Sequence, residues 1–186
     1  MSERNDDIGS PAPTVTALLD DRTTAGGWIL DPAGSRAGFH VKHFWGAVTV
    51  HGQFGRICGE GSVGADGTVT GRVSMDAASL STKNKRRDEH LRSADFFDVA
   101  HHPHVVVTVT AEPAGPASLA CRGTLEAAGH VKPIEFTAHV EDASARAVTL
   151  RADAVVDRTE FAMTWSPLGM ASAMARVTVQ ARFARP

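Results

Sequence analysis

No run of apolar residues in this chain approaches the roughly 18 that a helix needs to cross a bilayer, so no transmembrane segment is expected. Positive charge is scarce as well. The formal net charge is -2, and basic residues cluster only at Lys83, Lys85, Arg86 and Arg87. That excludes a reader of phosphate backbones and hence a nucleic-acid partner. There are only two cysteines, Cys58 and Cys121, far apart and without a CxxC unit. They are read as small buried or half-buried hydrophobes rather than as a disulfide framework. GxSxG, HExxH, P-loop and dinucleotide fingerprints are all missing, so no catalytic motif stands out and no cofactor is expected. The first residues show neither the basic start nor the apolar core of a secretory signal, which points to a cytoplasmic location. Residues 1–27 read as a flexible, polar N-terminal extension, and residues 28–186 as one domain long enough to bury a core.

What is present is alternation. Ala37, Phe39 and Val41 alternate with Gly38, His40 and Lys42, and Val48, Val50, Gly52 and Phe54 with Thr49, His51 and Gln53. Val69 to Met75, Leu119 to Leu125, Ile134 to Val140, Val148 to Val156 and Val177 to Phe183 repeat the period of two that marks half-buried strands. Asp31-Pro32-Ala33-Gly34 and Ala65-Asp66-Gly67 supply turns. About eight strands in antiparallel alternation predict an all-β barrel or a sandwich. Several inward positions are small (Gly52, Gly71, Gly123, Ala138, Ala152, Ala181), and small residues there leave a lumen.

One stretch, Ser79 to Thr110, departs from this rhythm with a helical pattern. Ser81 or Thr82 is placed to N-cap a helix. Leu91, Ala94 and Phe97 share one side, which predicts an apolar face plugging a barrel end. Asp95 and Asp98 read as acceptors for basic side chains or amides. Lys83 to Arg87 reads first as a solvated face; cations beside free helix amides also make Lys85, Arg86 and Arg87 candidates for holding a head group. His102 and His104 share one side of a strand, but no Cys or carboxylate completes a ligand set, so no metal is expected.

The segments WILDPAGSRAGFHVKHF, HGQFGRICGEG, SMDAASLSTKNKRRDEHLRSADFFDVAHHPHVVVT and GTLEAAGHVKPIEF, in that order, resemble the YceI-like family. RRDEHLRSADFFDV is the most specific of them. Near the C-terminus the family commonly carries an Arg-x-x-Phe-Gly-Met element. Here it is Arg158-Thr159-Glu160-Phe161-Ala162-Met163, with Ala in place of Gly, a difference that bears on the local turn. The resemblance implies an eight-stranded antiparallel lipocalin-like barrel with one helical insertion closing an end. It also implies an elongated apolar cavity for a polyisoprenoid, such as an isoprenoid quinone or polyprenyl compound, and a homodimer. On that basis Phe39, Val41, Phe54, Met75, Phe97, Val107, Phe136, Phe161, Met163 and Trp165 are the expected wall or mouth residues. The function expected is non-catalytic carriage or storage. The alternatives are an enzyme on a hydrophobic substrate, using a His near Asp95 or Asp98, and a metal-linked stress or interaction module.

Overall fold

Alternating residues pair into eleven strand segments. They are β1(Gly26–Leu30), β2(Arg36–His43), β3(Val48–Phe54), β4(Ile57–Val63), β5(Val69–Asp76), β6(Leu80–Ser81), β7(His104–Gly115), β8(Ser118–Ala127), β9(His130–Ala143), β10(Ala147–Asp157) and β11(Ala171–Ala184). The computed structural model describes Val15, Leu19, residues 24–144 and residues 146–186, with Trp45 in its backbone alone. Most of the extension expected over residues 1–27 lies outside the described residues.

Six of the segments are halves of three bent strands. β1 and β2 both lie antiparallel to β11, β3 and β4 pair with β2 and β1, and β5 and β6 pair with β4 and β3. Continuing through β7, β8, β9 and β10 to β11, and back to β1, gives a closed antiparallel barrel of eight strands. The bends have local causes. Between β1 and β2, Asp31 accepts from the Ala33 amide at 3.0 Å, and Ser35 Oγ accepts from the Arg182 amide at 2.9 Å. The other two bends are stapled to each other. Ser79 Oγ accepts the Arg56 amide at 3.0 Å, and Arg56 pairs with Asp76 at 2.7 Å.

The helix is shorter than the sequence pattern suggests. α1(Lys85–Arg92) is capped by Asn84, whose side chain accepts the Arg87 amide, and not by Ser81 or Thr82. Those two residues instead donate to Asp88, and this buried carboxylate fixes the chain entering the helix. Ser93 is extended and ends the helix, so Ala94 falls in an exposed turn rather than on a plugging face. Phe97 is buried all the same, because its amide donates back to the Leu91 carbonyl at 3.0 Å. β7 starts at His104, so His102 precedes the strand and does not share a side of it with His104. α1 is far too short to cross a membrane, and no described helix is long and apolar enough to do so.

β4 runs through the Gly-rich stretch between Arg56 and Gly67. Gly61 sits on the inward face, where an added Cβ would lie 3.8 Å from the Phe183 ring. The small inward residues serve different ends. Gly71, Ala138, Ala152 and Ala181 line open lumen. Gly52 instead makes room for the Phe39 ring, and Gly123 for the Thr108 carbonyl, so neither of these two leaves space.

Candidate functional site

The inward faces enclose a lumen of two chambers, about 210 Å³ and 190 Å³ in volume. Met75, Val107, Ile134, Val177 and Val179 line both, so the chambers meet at that waist. The first is bounded by strand residues such as Trp28, Phe136, Leu150 and Phe183, and by Val15 and Leu19 from the N-terminal segment. Val15 is 3% exposed and packs with Ala111, Leu119, Cys121 and Ala138. No Asp, Glu, His, Lys or Arg is among the described residues lining this chamber. Burial pushes the Cys121 thiol up, which keeps it in its protonated, poorly nucleophilic form.

The second chamber is closed by irregular chain. α1 and the following turn contribute Leu91, Phe96 and Phe97, and the segment after β10 contributes Phe161, Met163 and Trp165. Phe39, Phe54 and Phe97 form a triangle with ring centroids 6.0 to 6.3 Å apart. Trp165 stands edge-on to His90 at 4.4 Å and also meets Phe96.

Four basic side chains share this chamber: His43, Arg87, His90 and Arg158, with no carboxylate among the described residues lining it. Arg158 is 8% exposed and is held by backbone oxygens. Its Nε donates to Ser172 at 2.9 Å, and its terminal nitrogens to the carbonyls of Met163, Trp165 and Ala171. Burial draws its pKa down, partly offset by Asp157, yet a guanidinium stays charged. Arg87 donates from Nε to Thr82 Oγ1 at 2.7 Å and from a terminal nitrogen to the Thr82 carbonyl at 3.0 Å. Thr82 in turn donates to Asp88 Oδ1 at 2.5 Å from its hydroxyl and at 2.8 Å from its amide. Burial raises the Asp88 pKa, but the Thr82 and Ser81 hydrogen bonds and nearby Arg92 outweigh it and hold the carboxyl below its usual range. His43 is shifted down by burial first, then by Arg158 and Arg87.

Of the residues expected from the sequence, Phe39, Val41, Phe54, Phe97, Phe161, Met163 and Trp165 line the second chamber, and Met75 and Val107 the waist. Phe136 lines the first chamber. Arg87 lines the second chamber, whereas Lys85 and Arg86 are exposed outside it. Sequence reasoning missed His43, His90 and Arg158 as lumen residues. Arg158 had a signal, since it opens the Arg-x-x-Phe element, and so had His43, the next inward place after Ala37, Phe39 and Val41; His90 had none. Asp95 and Asp98 do accept from neighbouring basic groups, at 3.0 Å from His90 and His101. Among the described residues no three His, Cys, Asp or Glu side chains gather as a metal site.

The YceI-like domain pattern matches residues 28–184. The chain belongs to the YceI-like family. Curated relatives include a UPF0312 protein of Shewanella baltica, 31% identical over 130 residues, spanning 67% of this chain and 68% of the relative. A UPF0312 protein of Vibrio cholerae is 31% identical over 122 residues, or 61% of this chain and 62% of the relative. Among solved structures, Burkholderia cenocepacia BcnA superposes with a TM-score of 0.75 at 16% identity, covering 82% of this chain and 98% of BcnA. A polyisoprenoid binding domain from Saccharophagus degradans gives 0.71 at 17% identity, covering 86% of this chain and 98% of that domain. At these identities the structural likeness establishes the YceI-like barrel alone.

Proposed function

We propose that this protein is a non-catalytic carrier or reservoir for one long apolar isoprenoid, an isoprenoid quinone or a polyprenyl compound. The tail lies through the waist into the apolar first chamber, and the head stays among His43, Arg87, His90 and Arg158. The observation that carries this reading is the lining itself: apolar along both chambers, with the charged groups among its described residues confined to the second. Each buried methylene-sized group contributes about 0.8 kcal/mol. Several isoprene units therefore exceed ~10 kcal/mol gross, before the losses of association. The polyisoprenoid binding ascribed to the Saccharophagus relative supports the same ligand class. Of the three basic head-group candidates, Arg87 is the one assigned to the lumen.

Organic extraction of natively purified protein followed by mass spectrometry tests the reading, together with uptake of added quinone from detergent. A co-purifying prenyl lipid or stoichiometric uptake is expected. Absence of both overturns the carrier assignment.

A further inference from the structure

Two loops at the mouth of the second chamber each hold a bulky apolar residue in the left-handed region and turn it toward water. Leu168 has φ 55° and is 87% exposed; Phe44 has φ 50° and is 50% exposed. Side chains other than glycine are disfavoured at such φ values, and nothing in water rewards exposing these two. Glycine at either position would remove both penalties.

The two loops are neighbours on the rim. Phe44 follows His43, which lines the chamber and pairs with Ala171, three residues beyond Leu168. Trp165, three residues before Leu168, lines the chamber and is also 44% exposed, so the lumen meets solvent at its ring. Half-exposed Met174 adds apolar surface on the outer wall close by, opposite Asp157. Exposed cations flank it. Lys42 runs beside the turn that begins at Phe44, and Lys83, Lys85 and Arg86 stand at the start of α1. Among the described residues none of these four enters an ion pair. Exposed Glu89, Glu160 and Asp95, and Asp157 opposite Met174, offset part of this charge, while exposed Arg176 opposite Val155 adds to it.

We propose that this rim docks on an anionic bilayer surface, Phe44 and Leu168 entering the interface while Lys42, Lys83, Lys85 and Arg86 meet lipid phosphates, and that the lumen exchanges its ligand there. The exchange rests on the carrier reading; the docking does not. Trp165 suits the same boundary, since indole rings favour membrane interfaces. Charge selects the bilayer over a second copy of this chain. A two-fold contact at the rim would bring the same cations against each other, whereas an anionic surface attracts each of them.

Sedimentation of the full chain with vesicles of equimolar phosphatidylglycerol and phosphatidylcholine, and with pure phosphatidylcholine, tests the docking. Binding to the anionic vesicles is expected, weaker by about tenfold for each of Phe44→Asp and Leu168→Asp. Lys85→Glu and Arg86→Glu should each weaken it about fivefold on anionic vesicles only. Leu168→Gly separates docking from folding, because it relieves the backbone and so keeps or raises the melting temperature while vesicle binding falls. Quinone uptake from detergent should be unchanged in Phe44→Asp and Leu168→Asp, and uptake from anionic vesicles should fall about tenfold, in step with the binding. No vesicle binding by the native chain overturns the docking, as do rim variants that bind like the native chain. So does a dimer that Leu168→Asp dissociates without any effect of vesicles. Failure of uptake from detergent with docking intact overturns the carrier reading and leaves the docking standing.

Discussion

The two chambers share a barrel and a waist yet are built by opposite means. The first is mainly strand wall, with Val15 and Leu19 of the N-terminal segment against it, and its lining contains no Asp, Glu, His, Lys or Arg among the described residues. The second is closed by a short helix and irregular chain, whose many free backbone oxygens need donors. Arg158 supplies them: one guanidinium binds four carbonyls from residues 163 to 172. A wall of regular strands satisfies its own hydrogen bonds, but a lid of loops must import polar groups. Polarity at one end of the lumen is thus a consequence of how that end is closed, and the same groups become available to a head group.

Breaking each end should therefore have unequal consequences. Arg158→Met keeps the apolar stem but orphans the carbonyls it binds, and should destabilise the fold by about 3 kcal/mol, roughly 10 °C in melting temperature for a domain of this size. At the opposite end Val15→Ala removes two methyl-sized groups from an apolar cluster and should cost about 1.5 kcal/mol. Thermal denaturation of both variants checks this; equal losses would erase the distinction.

The next effect falls on the ligand. Ala152 lines the first chamber, so Ala152→Phe places a ring in the space assigned to the tail. A long-chain quinone should bind about a hundredfold more weakly, as expected when three or four methylene-sized groups lose their place, while a short-chain analogue keeps its affinity. Paired titrations of the two quinones, with a melting curve to register overpacking, measure it. A short-chain loss equal to the long-chain loss would mean that the tail does not reach the first chamber.

The same contrast explains what could be read before the fold was seen. Period-two alternation belongs to strand walls, so the inward residues of β9 and β10, Ile134 to Val140 and Val148 to Val156, were legible one by one. β4 was not, because Gly59 and Gly61 take inward places where a strand signal needs bulk. The lid was read in outline only. Phe97, Phe161, Met163 and Trp165 were named from apolar character and resemblance. Ala94 was misplaced because a helical period was carried past Ser93, where the chain turns extended. His43 escaped because it keeps the period of Ala37, Phe39 and Val41 but breaks their apolar series, and Arg158 because its position depends on carbonyls of residues 163 to 172, which no local period encodes. Asn84 took the cap because Thr82 and Ser81 were already engaged by Asp88.

Arg87→Ala offers a narrower cut. Arg87 is tied to Asp88 only through the Thr82 hydroxyl, so its guanidinium keeps donors for a ligand. A phosphorylated prenyl ligand should lose about tenfold in affinity and a neutral quinone far less, by competition binding. Equal losses would remove Arg87 from the head-group end.

Smaller still is the effect of Ala162, which occupies the glycine position of the family element and sits at φ 59° and ψ 9°. Ala162→Gly relieves a left-handed alanine, offset by the greater freedom of glycine in the unfolded chain, and should stabilise by about 0.5 to 1 kcal/mol. Chemical denaturation resolves a change of that size. A loss of stability would show that the turn is held by the alanine side chain instead.

The smallest effect separates the chambers by pH. Burial, then Arg158 and Arg87, lower the His43 pKa in the folded protein beneath its ordinary value. Below that ordinary value the unfolded chain therefore binds more protons than the folded one. His43 leaves stability intact above the ordinary histidine pKa near 6.5, and its contribution is lost as pH falls through that value toward the folded one. A phosphate head placed beside His43 reverses the local balance, since its negative charge favours the imidazolium. Binding of a phosphorylated prenyl ligand should thus tighten as pH falls through this window, and the His43 ring resonances should titrate at higher pH with ligand bound. A neutral quinone should show no such linkage at His43, because its head carries no negative charge to favour the imidazolium. His43→Gln should remove His43's share of the pH dependence and leave quinone binding as it was. Loss of quinone binding in that variant would instead make His43 a structural part of the wall.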